Sequence, residues 1–220
     1  MPTSNIAGFD SLPERVRAFI ALRLDGAVDD AIAELIGRLR APRHDESASA
    51  EPRDRARDDG IRWVRRENFH LTLFFLGPAV APERLAAVAD ALGAIAETTA
   101  PFEIAAQGVG VFPNPSRPQV IWVGLDGDGL VALAARVAAA VKRCGFSPER
   151  RAFAPHLTIG RIRSPRSARL LRRSLGEAAN LSFGVSRVER MILYRSETGP
   201  EGSTYYELDA FALGQREDGR

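Results

Sequence analysis

The stretch FHLTLFFLG, residues 69–77, returns in shorter form as PHLTIGR at residues 155–161. Both copies are apolar, rich in β-branched or aromatic residues and free of any polar run, which is the composition of a strand with a buried face. Side chains alternate along a strand, so the pattern sets His70 and Thr72 on one face and Phe69, Leu71, Leu73 and Phe75 on the other. The second copy likewise sets His156 and Thr158 against Leu157 and Ile159. The chain has three histidines, and this repeat holds two of them. Two such strands side by side bring two imidazoles and two hydroxyls to one small site.

On either side of the motifs, strands and helices alternate. Residues 16–24 read as a strand, and Asp25 caps a helix striped by Val28, Ile32, Leu35, Ile36 and Leu39. Residues 61–64 form a short strand, and Pro82 opens a helix with Leu85, Val88, Ala89, Leu92 and Ile95 inward. Residues 102–111 and 119–125 read as strands joined by the turn-rich FPNPSRP, and residues 130–142 as a helix with a clear apolar stripe. Ser164-Pro165 starts a helix with Leu170, Leu171 and Leu175 inward; the last two strands cover residues 185–194 and 205–213. A strand, a helix and an HLT strand recur in both halves. The pattern is α+β and pseudo-duplicated, one two-lobed unit over residues 15–213 with polar tails at 1–14 and 214–220. Residues 42–60, PRHDESASAEPRDRARDDG, contain no large apolar residue and read as a disordered insertion, which takes His44 out of contention as a catalytic group.

With 220 residues and 45% hydrophobic content the chain can bury a sizeable core. A formal net charge of +2 does not by itself argue for nucleic acid. Cys144 is the only cysteine, so neither an intrachain disulfide nor a cysteine metal cluster is available; it reads as a buried apolar residue, and a reducing compartment fits. No signal-like or membrane-spanning apolar run is present, so the expectation is a soluble, cytoplasmic protein. No second histidine or carboxylate sits at ligand spacing near either motif, so neither metal nor cofactor is expected.

Imidazole titrates near 6.5, so near neutrality one ring can take a proton from water while another, charged, gives one to a leaving oxygen. A threonine two residues further on shares the histidine's strand face, and its hydroxyl can hold an anionic oxygen. Two such units suit in-line attack of water on a phosphodiester without a metal. Lone strand histidines most often serve packing; it is the repetition with threonine that lifts these two above that reading.

The segments VRAFIALRL, RWVRRENFHLTLFFLG, FPNPSRPQVIWVGL and GFSPERRAFAPHLTIGR, with the closing Tyr205-Tyr206-Glu207-Leu208, resemble the two-histidine (2H) phosphoesterase superfamily over nearly the whole chain. Within it, the match resembles the bacterial RNA 2′,3′-cyclic phosphodiesterases of the 2′-5′ RNA ligase family. The resemblance implies a bilobal α+β fold with two antiparallel sheets facing across a cleft and helices outside. It implies hydrolysis of an RNA-terminal 2′,3′-cyclic phosphate to a 2′-phosphate by a monomer. His70 would then be the proton donor to the 3′ oxygen, His156 the proton acceptor from water, and Thr72, Thr158 and Arg161 the phosphate ligands. The residues alone do not tell the two histidines apart. In a regular strand Arg161 would face away from His156, and a bulge at Gly160 would turn it back. Rival readings are a small cyclic nucleotide as substrate, reversible 2′-5′ ligation, or an RNA-binding module without catalysis. Arg161, Arg163, Arg166, Arg169, Arg172 and Arg173 read as an RNA track or as a solvated face. Trp63, Phe112, Trp122, Tyr205 and Tyr206 read as base-stacking groups or as core.

Overall fold

The computed structural model describes residues 9, 11–40, 60–147, 151–199 and 202–215. His44 and most of the 42–60 segment lie outside them. Among the described residues eleven strands and four α-helices follow in order: β1 Val16–Leu22, α1 Gly26–Arg40, β2 Ile61–Trp63, β3 Leu71–Val80, α2 Glu83–Glu97, β4 Thr98–Thr99, β5 Phe102–Phe112, β6 Val120–Asp126, α3 Leu130–Arg143, β7 His156–Ile162, α4 Pro165–Glu177, β8 Ser182–Val188, β9 Arg190–Gly199, β10 Gly202–Ala212 and β11 Gly214–Gln215. The strands β10-β9-β1-β3-β7-β6-β5-β8 form one antiparallel sheet, with β2 added on β7, and β11 and β4 make a separate pair. Each half of the large sheet has the HLT strand innermost. In one half β1, α1 and β3 supply the repeating strand–helix–strand unit; in the other β6, α3 and β7 do. The two expected sheets are joined into one by a single register pair, Leu71 with Leu157.

Local chemistry accounts for the helix ends. Asp25 accepts from the Val28 amide at 3.0 Å, and the Ser164 hydroxyl accepts from the Ser167 amide with Pro165 in the first turn. Helix α1 buries Val28, Ile32, Leu35 and Ile36, and α3 buries Leu130, Leu133, Ala134, Val137, Ala140 and Val141. Both stripes enter one continuous core with Leu71, Leu73, Leu157 and Ile159 from behind the HLT strands. The helices cover one face of the sheet and reach across its seam, α1 against β8 and α3 against β3. On the other face a smaller cluster of Phe19, Ala21, Ile192 and Tyr194, with Phe75 and Tyr205 against it, lines the concave side that carries the histidines.

Four features differ from the sequence reading. Phe75 belongs to the histidine face, packed on the small cluster, because the β1–β3 register slips between Phe74 and Thr72 and puts Leu73 and Phe74 consecutively toward the core. The expected strand over 185–194 is two strands at distant positions in the sheet, β8 on β5 and β9 on β1, with the chain crossing between lobes at Glu189. Leu170 is 43% exposed while Leu171 holds the inward position on α4. At the ends, Phe9 is buried in the main core, and Gly214–Gln215 pairs with β4 where a tail was read.

Candidate active site

His70 immediately precedes β3 and His156 opens β7. The Leu71–Leu157 pair lies between the two motifs, so a two-fold relation through it exchanges His70 with His156 and Thr72 with Thr158. Each histidine therefore lies across the seam from the other motif's threonine. The imidazoles are held alike. The Nδ1–H of His70 donates to the Asn68 carbonyl oxygen at 2.7 Å, and that of His156 donates to the Ala154 carbonyl oxygen at 2.7 Å. A carbonyl only accepts, so it fixes the tautomer and leaves Nε2 of each ring for chemistry. Each ring also meets an aromatic edge: Tyr205 on His70 at 5.1 Å and Phe112 on His156 at 5.0 Å, both at 87°. Phe19 packs on the second side of His70 at 4.9 Å.

The second motif carries the charge. The β6–β7 register slips between Thr158 and Gly160, so Ile159 and Gly160 face the core in succession and Arg161 returns to the histidine face. This is the same device as in β3, and it makes Arg161 the counterpart of Phe75. A Cβ on Gly160 would meet the Trp63 ring at 3.1 Å, which is why a glycine takes the bulge. Burial pushes His70 down from 6.5 to about 4; the Asn68 bond opposes this, and positive charge on Arg23, His156 and Arg161 adds to it.

Sequence reasoning missed the scaffold around His70, whose carbonyl partner belongs to a tightly tied turn, Arg66–Asn68. The Asn68 amide donates to the Ser203 carbonyl at 2.7 Å, and Arg66 bridges to Asp30 at 2.6 Å and to the Gly26 carbonyl at 3.1 Å. Arg23 donates to the Glu67 carbonyl and to buried Asp29 at 3.2 Å. Burial raises Asp29 to about 6 against the pull of Arg23. A cavity of about 90 Å³ beside His70 is lined by Arg23, Glu67, Asn68, Tyr194, Tyr205 and Glu207. Tyr194 is pushed up to about 12 by burial and by Glu207, to which its hydroxyl donates at 3.3 Å.

The remaining candidates separate. Trp63 packs on the core, and Trp122 lies against Phe112 at 5.2 Å with its Nε1 buried and unpartnered. Tyr206 is exposed beneath the Arg195 guanidinium, 4.4 Å away. Arg166, Arg169 and Arg173 share the outer side of α4, opposite buried Ser167 and Leu171, so they do not continue the track from Arg161 on the histidine face. Cys144 is partly exposed, its thiol 3.5 Å from the Ala87 carbonyl. Among the described residues no three His, Cys, Asp or Glu side chains converge as metal ligands, and no helix is long and apolar enough to cross a membrane.

Two histidines held alike from two related strands fit a 2H phosphoesterase, and the family model of the 2′-5′ RNA ligase superfamily matches residues 28–199; the chain belongs to that family. It is 33% identical over 200 residues to the RNA 2′,3′-cyclic phosphodiesterase of Methanothermobacter thermautotrophicus, covering 90% of this chain and 100% of that one. It is 32% identical over 199 residues to the protein of the same name from Archaeoglobus fulgidus, covering 89% and 99%. Among solved structures, TT0787 of Thermus thermophilus superposes with a TM-score of 0.69 at 25% identity, covering 91% of this chain and 100% of that one. E. coli LigT complexed with 3′-AMP shares the fold, with a TM-score of 0.68 at 24% identity, covering 92% and 100%.

Proposed function

We propose that this protein hydrolyses the 2′,3′-cyclic phosphate at an RNA 3′ end to a 2′-phosphate, without a metal. The observation that carries the reading is the matched pair of Nδ1-to-carbonyl bonds, which leave Nε2 of each ring for chemistry on two motifs whose strands pair at Leu71 and Leu157. His156 Nε2 takes a proton from water as its oxygen attacks phosphorus. The P–O3′ bond breaks in line, and His70 Nε2 gives a proton to the departing 3′ oxygen. Thr72, Thr158 and Arg161 hold the non-bridging oxygens. The two proton transfers balance, and release of the RNA 2′-phosphate followed by proton exchange with solvent resets both rings.

The free site holds His70 neutral, as its lowered proton affinity requires. A bound phosphate anion counters the charge of Arg161, and so raises His70 toward the range in which it can donate. The proton for O3′ is therefore taken up with the substrate. The reading extends to a cytoplasmic monomer, whose lone Cys144 needs no oxidising compartment.

The test is turnover of a short RNA ending in a 2′,3′-cyclic phosphate, in the presence of EDTA, with identification of the product isomer. The parent is expected to release a 2′-phosphate, with His70→Ala and His156→Ala each slower by roughly 10²–10⁴-fold. Full turnover in either variant overturns the acid–base pair. Binding without turnover by a folded parent favours a recognition module, and dependence on added metal overturns the metal-free step.

A further inference from the structure

Strand β10 sends alternate residues to opposite faces, so Tyr205 and Glu207 project to the histidine side while Tyr206 turns away beneath Arg195. The Tyr205 ring meets His70 at 5.1 Å. Glu207 is pinned next to it: one carboxylate oxygen accepts from the Tyr194 hydroxyl at 3.3 Å, and the other lies 3.5 Å from the Arg190 guanidinium. A carboxylate has about four lone-pair sites, so these contacts leave Glu207 able to accept two more bonds. Arg23, just past the end of β1, gives one N–H to the Glu67 carbonyl and one to Asp29, out of five. Arg23 and Glu207 share the cavity of about 90 Å³ beside His70, which Glu67 also lines. Two carboxylates there face a guanidinium already paired with Asp29, a setting that repels phosphate. Among the described residues no set of metal ligands converges to draw a cation. The walls suit a neutral group that carries N–H donors beside an acceptor.

We propose that this cavity receives the edge of the terminal nucleobase, and that Glu207 and Arg23 select guanine there. This rests on the cyclic-phosphodiesterase reading above and narrows its substrate class to RNAs whose last nucleotide is guanosine. In that reaction His70 gives its proton to O3′, so the ribose that keeps this oxygen, and the base it carries, lie on the His70 side. Guanine sets its N1–H and 2-amino group next to one another, a match for a single carboxylate, with the O6 acceptor following for an arginine N–H. Uracil has one N–H between two carbonyls. Adenine and cytosine have an amino group and no ring N–H on that edge. Stacking on the Tyr205 ring serves any base, so the discrimination falls to Glu207.

The test compares kcat/KM for four short RNAs that differ only in the last nucleotide, each ending in a 2′,3′-cyclic phosphate. A fifth RNA ends in inosine, which lacks the 2-amino group. The parent is expected to prefer guanosine over uridine by tenfold or more, with inosine between them. Glu207→Gln is expected to lower the guanosine-to-uridine ratio about tenfold, mainly through KM, and to erase the advantage of guanosine over inosine. Arg190→Gln removes the ion pair of Glu207 without touching the base, and keeps the ratio. A collapse of the ratio in Arg190→Gln traces the selectivity to that ion pair and overturns the base contact. An equal loss on all five RNAs with Glu207→Gln overturns the assignment, as does a parent that opens all five alike. A folded parent that opens none of them removes the underlying activity instead.

Discussion

The carbonyls of Asn68 and Ala154 decide which nitrogen of each imidazole meets the substrate. Backbone oxygens carry no signature in a sequence, so the two rings could be read from the HLT repeat but their tautomers could not. The same limit hid Arg23, which acts on its neighbourhood through another carbonyl, that of Glu67, and through a carboxylate six residues away in the chain. Its charge helps to depress His70, and this is measurable. In an NMR titration the His70 ring of the free protein should protonate with a midpoint near 4, and a bound nucleoside 2′-phosphate should move it upward. Arg23→Met removes a facing cation and should raise the midpoint in the free protein; Arg23→Lys should restore most of the depression. A midpoint near 6.5 in the parent would show that neither burial nor the cations govern this ring.

At the scale of elements, the two HLT strands work because each contains a bulge at the same place after its threonine. The alternation that sets His70 with Thr72 and His156 with Thr158 breaks there, so the sequence pattern puts Phe75 on the wrong face; in the second strand the glycine in HLTIGR points to the break. Gly160→Val would press a branched side chain on Trp63 and Ile121, whose atoms lie 3.1–3.4 Å from a Cβ at that position. The expected cost is about 1–3 kcal/mol in denaturant unfolding, with KM raised as Arg161 loses its direction. Unchanged stability would show that the bulge relaxes freely. The division of residues 182–199 into β8 and β9 was not legible either, since VSRVERMILY has no glycine, proline or asparagine to mark a break. That break is set by the lobes that the two strands join.

Over the whole molecule, two ionisable groups, half-buried His70 and buried Asp29, pull the pH dependence of stability in opposite directions. His70 resists protonation until about 4, whereas an unfolded chain protonates it near 6.5, so its contribution is present above 6.5 and lost as pH falls through that window. Asp29 takes a proton at about 6 in the fold against 3.8 when unfolded, so its contribution is present below 3.8 and lost as pH rises toward 6. Calorimetry at pH 7 and pH 4.5 should show His70→Gln gaining on the parent as pH falls and Asp29→Asn losing ground. Parallel shifts in both variants would place the titrations elsewhere. The two-lobed architecture was legible from the repeat, but the joining of the lobes was not, because the Leu71–Leu157 seam and the helices that cross it are long-range pairings. That topology bears on how the molecule is made. One lobe uses the unbroken stretch from β5 to β8, whereas the other combines β1 and β3 with β9 and β10. During synthesis the first can assemble while the second still lacks half its strands, including the one that brings Tyr205 to His70. A ribosome-bound chain that has not yet released β10 therefore holds both histidines and only one finished wall, and hydrolysis waits for that strand.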